Sequence, residues 1–330
     1  MILPSRPRRR VARRLTAAGI FLLGLAGCAT PPQLQALVGS RSAGIPQRAE
    51  LDAVPFFSQE DYQCGPAALA MVLSAGGKAI EPEALRPQVY LPDRHGSLQI
   101  EMIAAARRNG FVAIELAPNL SDLLAEIAAG NPVVVLQNLA VDWYPAWHYA
   151  VAIGYDLKAQ RITLRSGTER RLQMPLDTFE HTWRRGGYWA MLALPPRRLP
   201  ASVAAGDYLS AVARLEKTGR AASARDAYER ALERWPDDLT ALIGLGNTAH
   251  RDGDLEAAEQ AFRRATLAHP QSAAAHNNLA QTLEELDRHD EALAEARAAV
   301  GLGGPLEDVS MRTLDAIVSH AGRGEQEWNR

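Results

Sequence analysis

Cys64 lies in the run Asp61-Tyr62-Gln63-Cys64-Gly65-Pro66-Ala67-Ala68-Leu69-Ala70. Its apolar continuity through residue 73 predicts a buried helix that begins at the cysteine, with Pro66 in the first turn. The start of a helix carries partial positive charge, which favours the thiolate, the nucleophilic form of cysteine. Gly65 keeps the backbone beside the sulfur open to an incoming carbonyl. A thiolate nucleophile needs a base, and the histidines between residues 50 and 196 are His95, His148 and His181. His95 sits in the polar turn Asp93-Arg94-His95-Gly96 and His181 in a charged stretch, so both read as surface residues. His148 instead opens the apolar run Tyr149-Ala150-Val151-Ala152-Ile153-Gly154-Tyr155. An imidazole at the head of a buried strand can take the thiol proton and pass it to a leaving amine, which is the chemistry of acyl transfer.

The elements that must position this pair follow from pattern. The helix from residue 64 is stopped by Gly76-Gly77, which supply the positive φ of a helix terminus. Further helices are expected at 98–109, with Ser97 as N-cap and Gly110 at the end, and at 121–129, opened by Ser-Asp. Short β-rich runs follow at 133–136, 148–155, 161–165 and 188–194. Helices first and an antiparallel meander after them predict an α+β domain. The 148–166 hairpin turns near residues 156–159, which sets positions 166 to 168 opposite His148. Ser166 and Thr168 stand there, and position favours Ser166. A hydroxyl can hold an imidazole in one tautomer but lacks the charge that stabilises imidazolium. Asp156 and Glu169 are the nearby carboxylates that would have to supply it. Trp143, Tyr144 and Trp147 form an aromatic cluster before His148, read first as packing under a loop and second as substrate subsites.

On these residues, positions 52–194 resemble the bacteriocin-processing, double-glycine-leader cysteine peptidases, a branch of the papain-like fold. The matching blocks are Val54-Pro55-Phe56-Phe57-Ser58-Gln59, then residues 61–69, and His148 leading a strand. The resemblance implies that a glutamine shortly upstream of the nucleophile donates to the oxyanion. That role falls on Gln59, with Gln63 as the substitute, beside the Cys64 backbone N–H. It also implies an aspartate after the histidine, and here the sequence departs from the family.

The rest of the chain sets the context. Leu194-Pro195-Pro196-Arg197-Arg198-Leu199-Pro200 reads as a semi-rigid linker. Beyond it, Ala224, Ala258 and Ala292, Ala231, Ala265 and Ala299, Tyr228 and Phe262, Gly219 and Gly253, and Pro236 and Pro270 recur every 34 residues. That period resembles tetratricopeptide repeats, three of them at 205–238, 239–272 and 273–304, with Asp287 replacing the turn glycine and an amphipathic helix at 306–320 as cap. At the other end, Arg6, Arg8, Arg9, Arg10, Arg13 and Arg14 precede a short apolar run ending in Leu25-Ala26-Gly27-Cys28. This resembles the lipobox of bacterial lipoproteins, which implies cleavage before Cys28, lipidation of its thiol, and, with Ala29 following, an outer-membrane destination facing the periplasm.

The expected division is therefore a signal peptide at 1–27, a tether at 28–49, a papain-like cysteine peptidase domain at 50–196, a linker at 197–204, an all-α repeat solenoid at 205–304 and a cap with tail at 305–330. The 330 residues carry a net charge of -2. Without the six leading arginines it is -8, which excludes nucleic acid as the main partner. No phosphate loop, metal-ligand spacing or serine elbow is present in the sequence, so no cofactor and no metal are expected. The expected partners are a protein or peptide substrate, a protein bound by the repeats, and the membrane through the N-terminal lipid. The leading reading is a thiol peptidase using Cys64, His148, Gln59 and Ser166. A non-catalytic peptide-binding adaptor is its competitor, and transglutaminase or amidase chemistry is a third use of the same pair.

Overall fold

The computed structural model describes residues 31–39, 44–59 and 63–328. Cys28, the signal segment, and Asp61 and Tyr62 of the cysteine motif lie outside the described residues.

The first half is an α+β domain built on one antiparallel sheet. Its strands are β1 (Arg48–Glu50), β4 (Val112–Glu115), β5 (Val133–Asn138), β6 (Trp147–Asp156), β7 (Arg161–Ser166), β8 (Glu169–Pro175) and β9 (Ala190–Leu194), in the order β4-β9-β5-β6-β7-β8, with β1 also on β6. The small hairpin β2 (Tyr90–Leu91) and β3 (Gly96–Ser97) stands apart. The plain meander is corrected: β9 returns from the end of the domain to lie between β4 and β5. Beyond the expected runs the structure adds β1, β4 and β8.

Side-chain alternation along these strands builds two cores. Val134, Leu136, Tyr149, Val151, Ile153 and Met191 face α2 (Cys64–Ala75), α3 (Pro82–Val89) and α4 (Gln99–Arg108). Val133, Val135, Ala150, Ala152, Leu192 and Leu194 face α1 (Pro32–Gly39), α5 (Leu120–Ala128) and α6 (Leu176–Arg185). Such strict period-two sorting fixes the register, because a slip of one residue would exchange the two faces.

Three local expectations change. Positive φ belongs to Gly77 (95°) and not to Gly76 (-81°). Ser97 is not an N-cap: it pairs with Tyr90 in the small hairpin, and α4 starts from Leu98. The cap of α5 is Asn119, whose side chain accepts from the N–H groups of Ser121 and Asp122.

The segment expected as a flexible tether contains α1, docked by Leu34 and Leu37. Glu180, fully buried, accepts from the Gln33 and Leu34 N–H groups at 2.9 and 2.6 Å, satisfying donors that a helix start leaves orphaned. The Pro-rich linker is likewise tied down. Buried Glu126 accepts from the N–H groups of Ala201 and Ser202 at 2.9 and 2.7 Å, and Arg198 donates to the Gly130 carbonyl at 3.1 Å.

Three antiparallel helix pairs follow: α7 (Ala205–Glu216) with α8 (Ala221–Arg234), α9 (Leu239–Arg251) with α10 (Leu255–Ala268), and α11 (Ala273–Glu285) with α12 (His289–Leu302). The recurrent alanines are fully buried, which lets the helices approach closely. Gly219 and Gly253 turn at φ 77° and 78°, and Asp287 takes the equivalent left-handed turn at 58°. Helix α13 (Glu307–Trp328) covers the last pair through Ile317. Tyr208, Leu209 and Val212 of α7 continue the lower core of the sheet directly into the repeats.

Candidate active site

Cys64 opens α2, half-buried, with Gln63 before it as the capping residue. The register of β6 with β7 runs from Val151↔Arg165 toward the far end of the sheet, so the two strands part before Tyr149. The backbone N–H of Tyr149, left out of that ladder, acts on the Cys64 sulfur and favours its anion. The sulfur thus sits beside the residue that follows His148, and both Cys64 and His148 line one cavity of about 1020 Å³.

Burial pushes the Cys64 thiol up, and the N–H groups of Tyr149, Gly65 and Cys64 itself pull it down without overcoming that effect. The expectation of a lowered thiol is corrected: the helix start acts in the expected direction, but desolvation of the anion outweighs it. Burial also holds the His148 imidazolium below the ordinary histidine range. Both shifts favour the uncharged forms, a thiol and a neutral imidazole.

His148 Nε2 lies 2.8 Å from Ser166 Oγ. When Oγ accepts from Nε2–H, the lone pair is on Nδ1, the nitrogen a base needs on the side away from Ser166. Thr168, also opposite His148 by count, is exposed, because β7 ends at Ser166 and Gly167 turns the chain at φ 56° into β8. Neither carboxylate comes to the imidazole. Asp156 closes the hairpin at the other end of β6, accepting from the Ala159 N–H, and Glu169 points to solvent.

Gln59 is buried on the cavity wall, with its Oε1 accepting from the Gly167 N–H and its own N–H donating to the Gly167 carbonyl, both at 3.0 Å. The first bond fixes the amide orientation, since an N–H must face an oxygen. Its Nε2 is buried and makes no hydrogen bond among the described residues. Gln63 is not part of the cavity wall.

Nothing in the sequence marks Arg165 as part of the site. Its side chain is buried, and its guanidinium donates to the carbonyls of Val54, at 2.9 Å from Nη2, Asp52, at 3.1 Å, and Arg170. The end of β7 therefore organises the whole site. Arg165 holds the segment that leads to Gln59, Ser166 holds His148, and Gly167 holds Gln59 itself.

His95, read as a surface residue, is exposed but on the cavity rim, while His181 lies on α6 away from it. The aromatic cluster is not packed under a loop: Trp143, Tyr144 and Trp147 are all exposed, and of the three Trp147 reaches the cavity. The space beside Gly65 is taken by the protein and not left for substrate. A Cβ there would lie 2.3 Å from Ser97 Oγ and 2.6 Å from its Cβ. Gly65→Ala is therefore expected to force the β2–β3 hairpin off the start of α2, a loss of about 1–3 kcal/mol. Thermal denaturation checks this, and an unchanged midpoint would contradict the packing.

Residues 51–191 match the family model described as Peptidase_C39 like family, and residues 214–268 and 251–305 match Tetratricopeptide repeat. The chain is similar to Protein FlbA of Caulobacter vibrioides, 38% identical over 115 residues, which are 35% of this chain and 19% of that protein. Among solved structures it is similar to a C39-like peptidase from Bacillus anthracis, at 19% identity and TM-score 0.38, covering 44% of this chain and 97% of that one. It is also similar to the Yersinia enterocolitica type III secretion chaperone SycD in complex with a peptide of the translocator YopD, at 17% identity and TM-score 0.32, covering 34% and 91%. The chain thus carries a C39-like peptidase-family domain at residues 51–191, followed by tetratricopeptide repeats within residues 214–305.

Proposed function

We propose that the first domain is a cysteine peptidase and that the repeats recruit its protein substrate or a partner. The observation that carries this reading is the meeting of Cys64, His148 and Gln59 on one cavity, with Ser166 behind the imidazole. Cys64 Sγ attacks the peptide carbonyl as its proton passes to His148 Nδ1, forming a tetrahedral oxyanion held by Gln59 Nε2–H and the Cys64 N–H. The intermediate collapses to a thioester as His148 returns the proton to the leaving amine. Water activated by the same imidazole then releases the acid and the free thiol. Cys28, lipidated after signal cleavage, anchors the chain in the bacterial envelope, at the outer membrane facing the periplasm.

The test is cleavage of peptide mixtures, followed as new termini by mass spectrometry across pH. The imidazole is the base only when neutral, and burial keeps it neutral to lower pH than an exposed histidine. The rate should hold from neutrality past pH 6.5 and fall only below it, and alkylation of Cys64 should abolish it at every pH. An acid limb at or above the ordinary histidine value of about 6.5 would count against the assignment. A second reading, a peptide-binding adaptor without turnover, is favoured by the hydroxyl that stands where a carboxylate would hold the imidazole. Peptide binding that survives with no cleavage at any pH is its signature.

A further inference from the structure

Half of the large apolar side chains exposed among the described residues lie in one stretch, the connection from β5 to β6 together with the first residue of β6. They are Leu139 (47% exposed), Val141 (45%), Trp143 (86%), Tyr144 (75%) and Trp147 (57%). This loop is held in shape by its own hydrogen bonds. Asn138 Oδ1 accepts from the N–H groups of Ala140 and Ala146 at 3.1 and 2.9 Å, Leu139 N–H donates to the Ala146 carbonyl at 2.9 Å, and Tyr144 N–H to that of Val141 at 3.1 Å. From below, Arg185 donates twice to the Asn138 carbonyl, at 3.2 and 3.1 Å. An ordered hairpin that holds two tryptophans and a tyrosine out into solvent is a contact surface lacking its partner.

The position of α1 points to that partner. Gln33, at the beginning of α1, donates to the Pro118 carbonyl, and the backbone N–H groups of Gln33 and Leu34 meet Glu180. Glu180 precedes Thr182, which bonds Gln137 near the end of β5 at 2.6 Å. After α1, the chain enters β1, which pairs with residues 154–156 at the opposite end of β6. Helix α1 therefore begins at the end of the sheet where β5 runs into the aromatic loop. Pro31 is already buried there, and two residues separate it from Cys28, three Cα–Cα steps that span roughly 10 Å when extended.

We propose that the β5–β6 loop, residues 139–147, seats in the interface of a phospholipid bilayer, so that the Cys64 cavity opens at the membrane surface. Tryptophan and tyrosine favour that interface because their rings are apolar and their N–H and O–H groups remain hydrated. Arg184, exposed at the end of α6 below the loop, suits anionic headgroups, against the one loop carboxylate, Asp142. The inference leans on the anchoring reading for proximity alone, so the experiment omits the acyl chain.

Residues 29–330, unacylated and retaining every described residue, are mixed with vesicles of phosphatidylethanolamine and phosphatidylglycerol, with and without brominated acyl chains. The chain is expected to sediment with the vesicles and to lose tryptophan fluorescence to the bromines. Trp143→Ser combined with Tyr144→Ser should weaken partition about tenfold or more, as loss of buried aromatic surface demands, with the thermal midpoint unchanged. No sedimentation, or equal partition of the variant, overturns the proposal. If the variant instead raises KM for peptides with no vesicle binding in either protein, the loop is a substrate platform and the proposal is equally overturned. Intact mass of the native protein tests the anchor separately: an unmodified Cys28 refutes the anchor and leaves the vesicle measurement standing.

Discussion

Cys64→Ala is expected to lower kcat/KM for peptide cleavage by about 10⁴-fold or more, His148→Ala to lower it nearly as far, and the double variant to be no worse than either alone. The non-additivity is the informative part. Burial outweighs the three backbone donors around the sulfur and favours the neutral thiol. In the proposed mechanism the sulfur becomes a nucleophile only as its proton leaves for the imidazole, so removing either partner removes the same step. A thiol already ionised would attack without the base, and His148→Ala would then cost far less than Cys64→Ala. Steady-state kinetics on the single and double variants decide between these mechanisms. Full activity in Cys64→Ala would refute the site outright.

The second large effect is at Gln59. Gln59→Ala should lower kcat by about 10²–10³-fold with little change in KM, the usual result of deleting one oxyanion donor. The alanine variant also loses the bond to the Gly167 N–H, so a structural role could imitate the effect. Gln59→Glu separates the two. A glutamate keeps an oxygen for the Gly167 N–H but replaces the amide donor by a negative oxygen where the oxyanion forms. It should be at least as slow as the alanine variant, with kcat and not KM carrying the loss. Wild-type turnover by the glutamate variant would show that the amide only braces the chain.

The parts of this site legible in the sequence are those encoded locally. An apolar run starting at a cysteine places a helix start, and a histidine heading a β-rich run places a strand end. Hairpin counting then brought Ser166 to His148, 2.8 Å apart in the structure. What stayed hidden depends on distant partners. Strand β8 reads Glu-Arg-Arg-Leu-Gln-Met-Pro, a mostly exposed edge strand with too little apolar alternation to stand out from a loop. Arg165 is buried only because carbonyls from Asp52 and Val54, more than a hundred positions away, receive its guanidinium. The direction of the thiol shift failed for the same reason: the helix start is local, whereas the desolvation that defeats it comes from the whole fold. The aromatic loop was misjudged because composition speaks for burial, while a hairpin closed on Asn138 holds its rings outward.

Glu126 gives the junction between the two domains a mechanical meaning. A fully buried carboxylate that accepts from the backbone of residues 201 and 202 braces the start of the repeats against the first domain at that point. A polypeptide seated on the solenoid would consequently meet Cys64 at a constant stride. Position of cutting would be measured like a length on a gauge, counted from the docked segment and not chosen by side-chain identity alone.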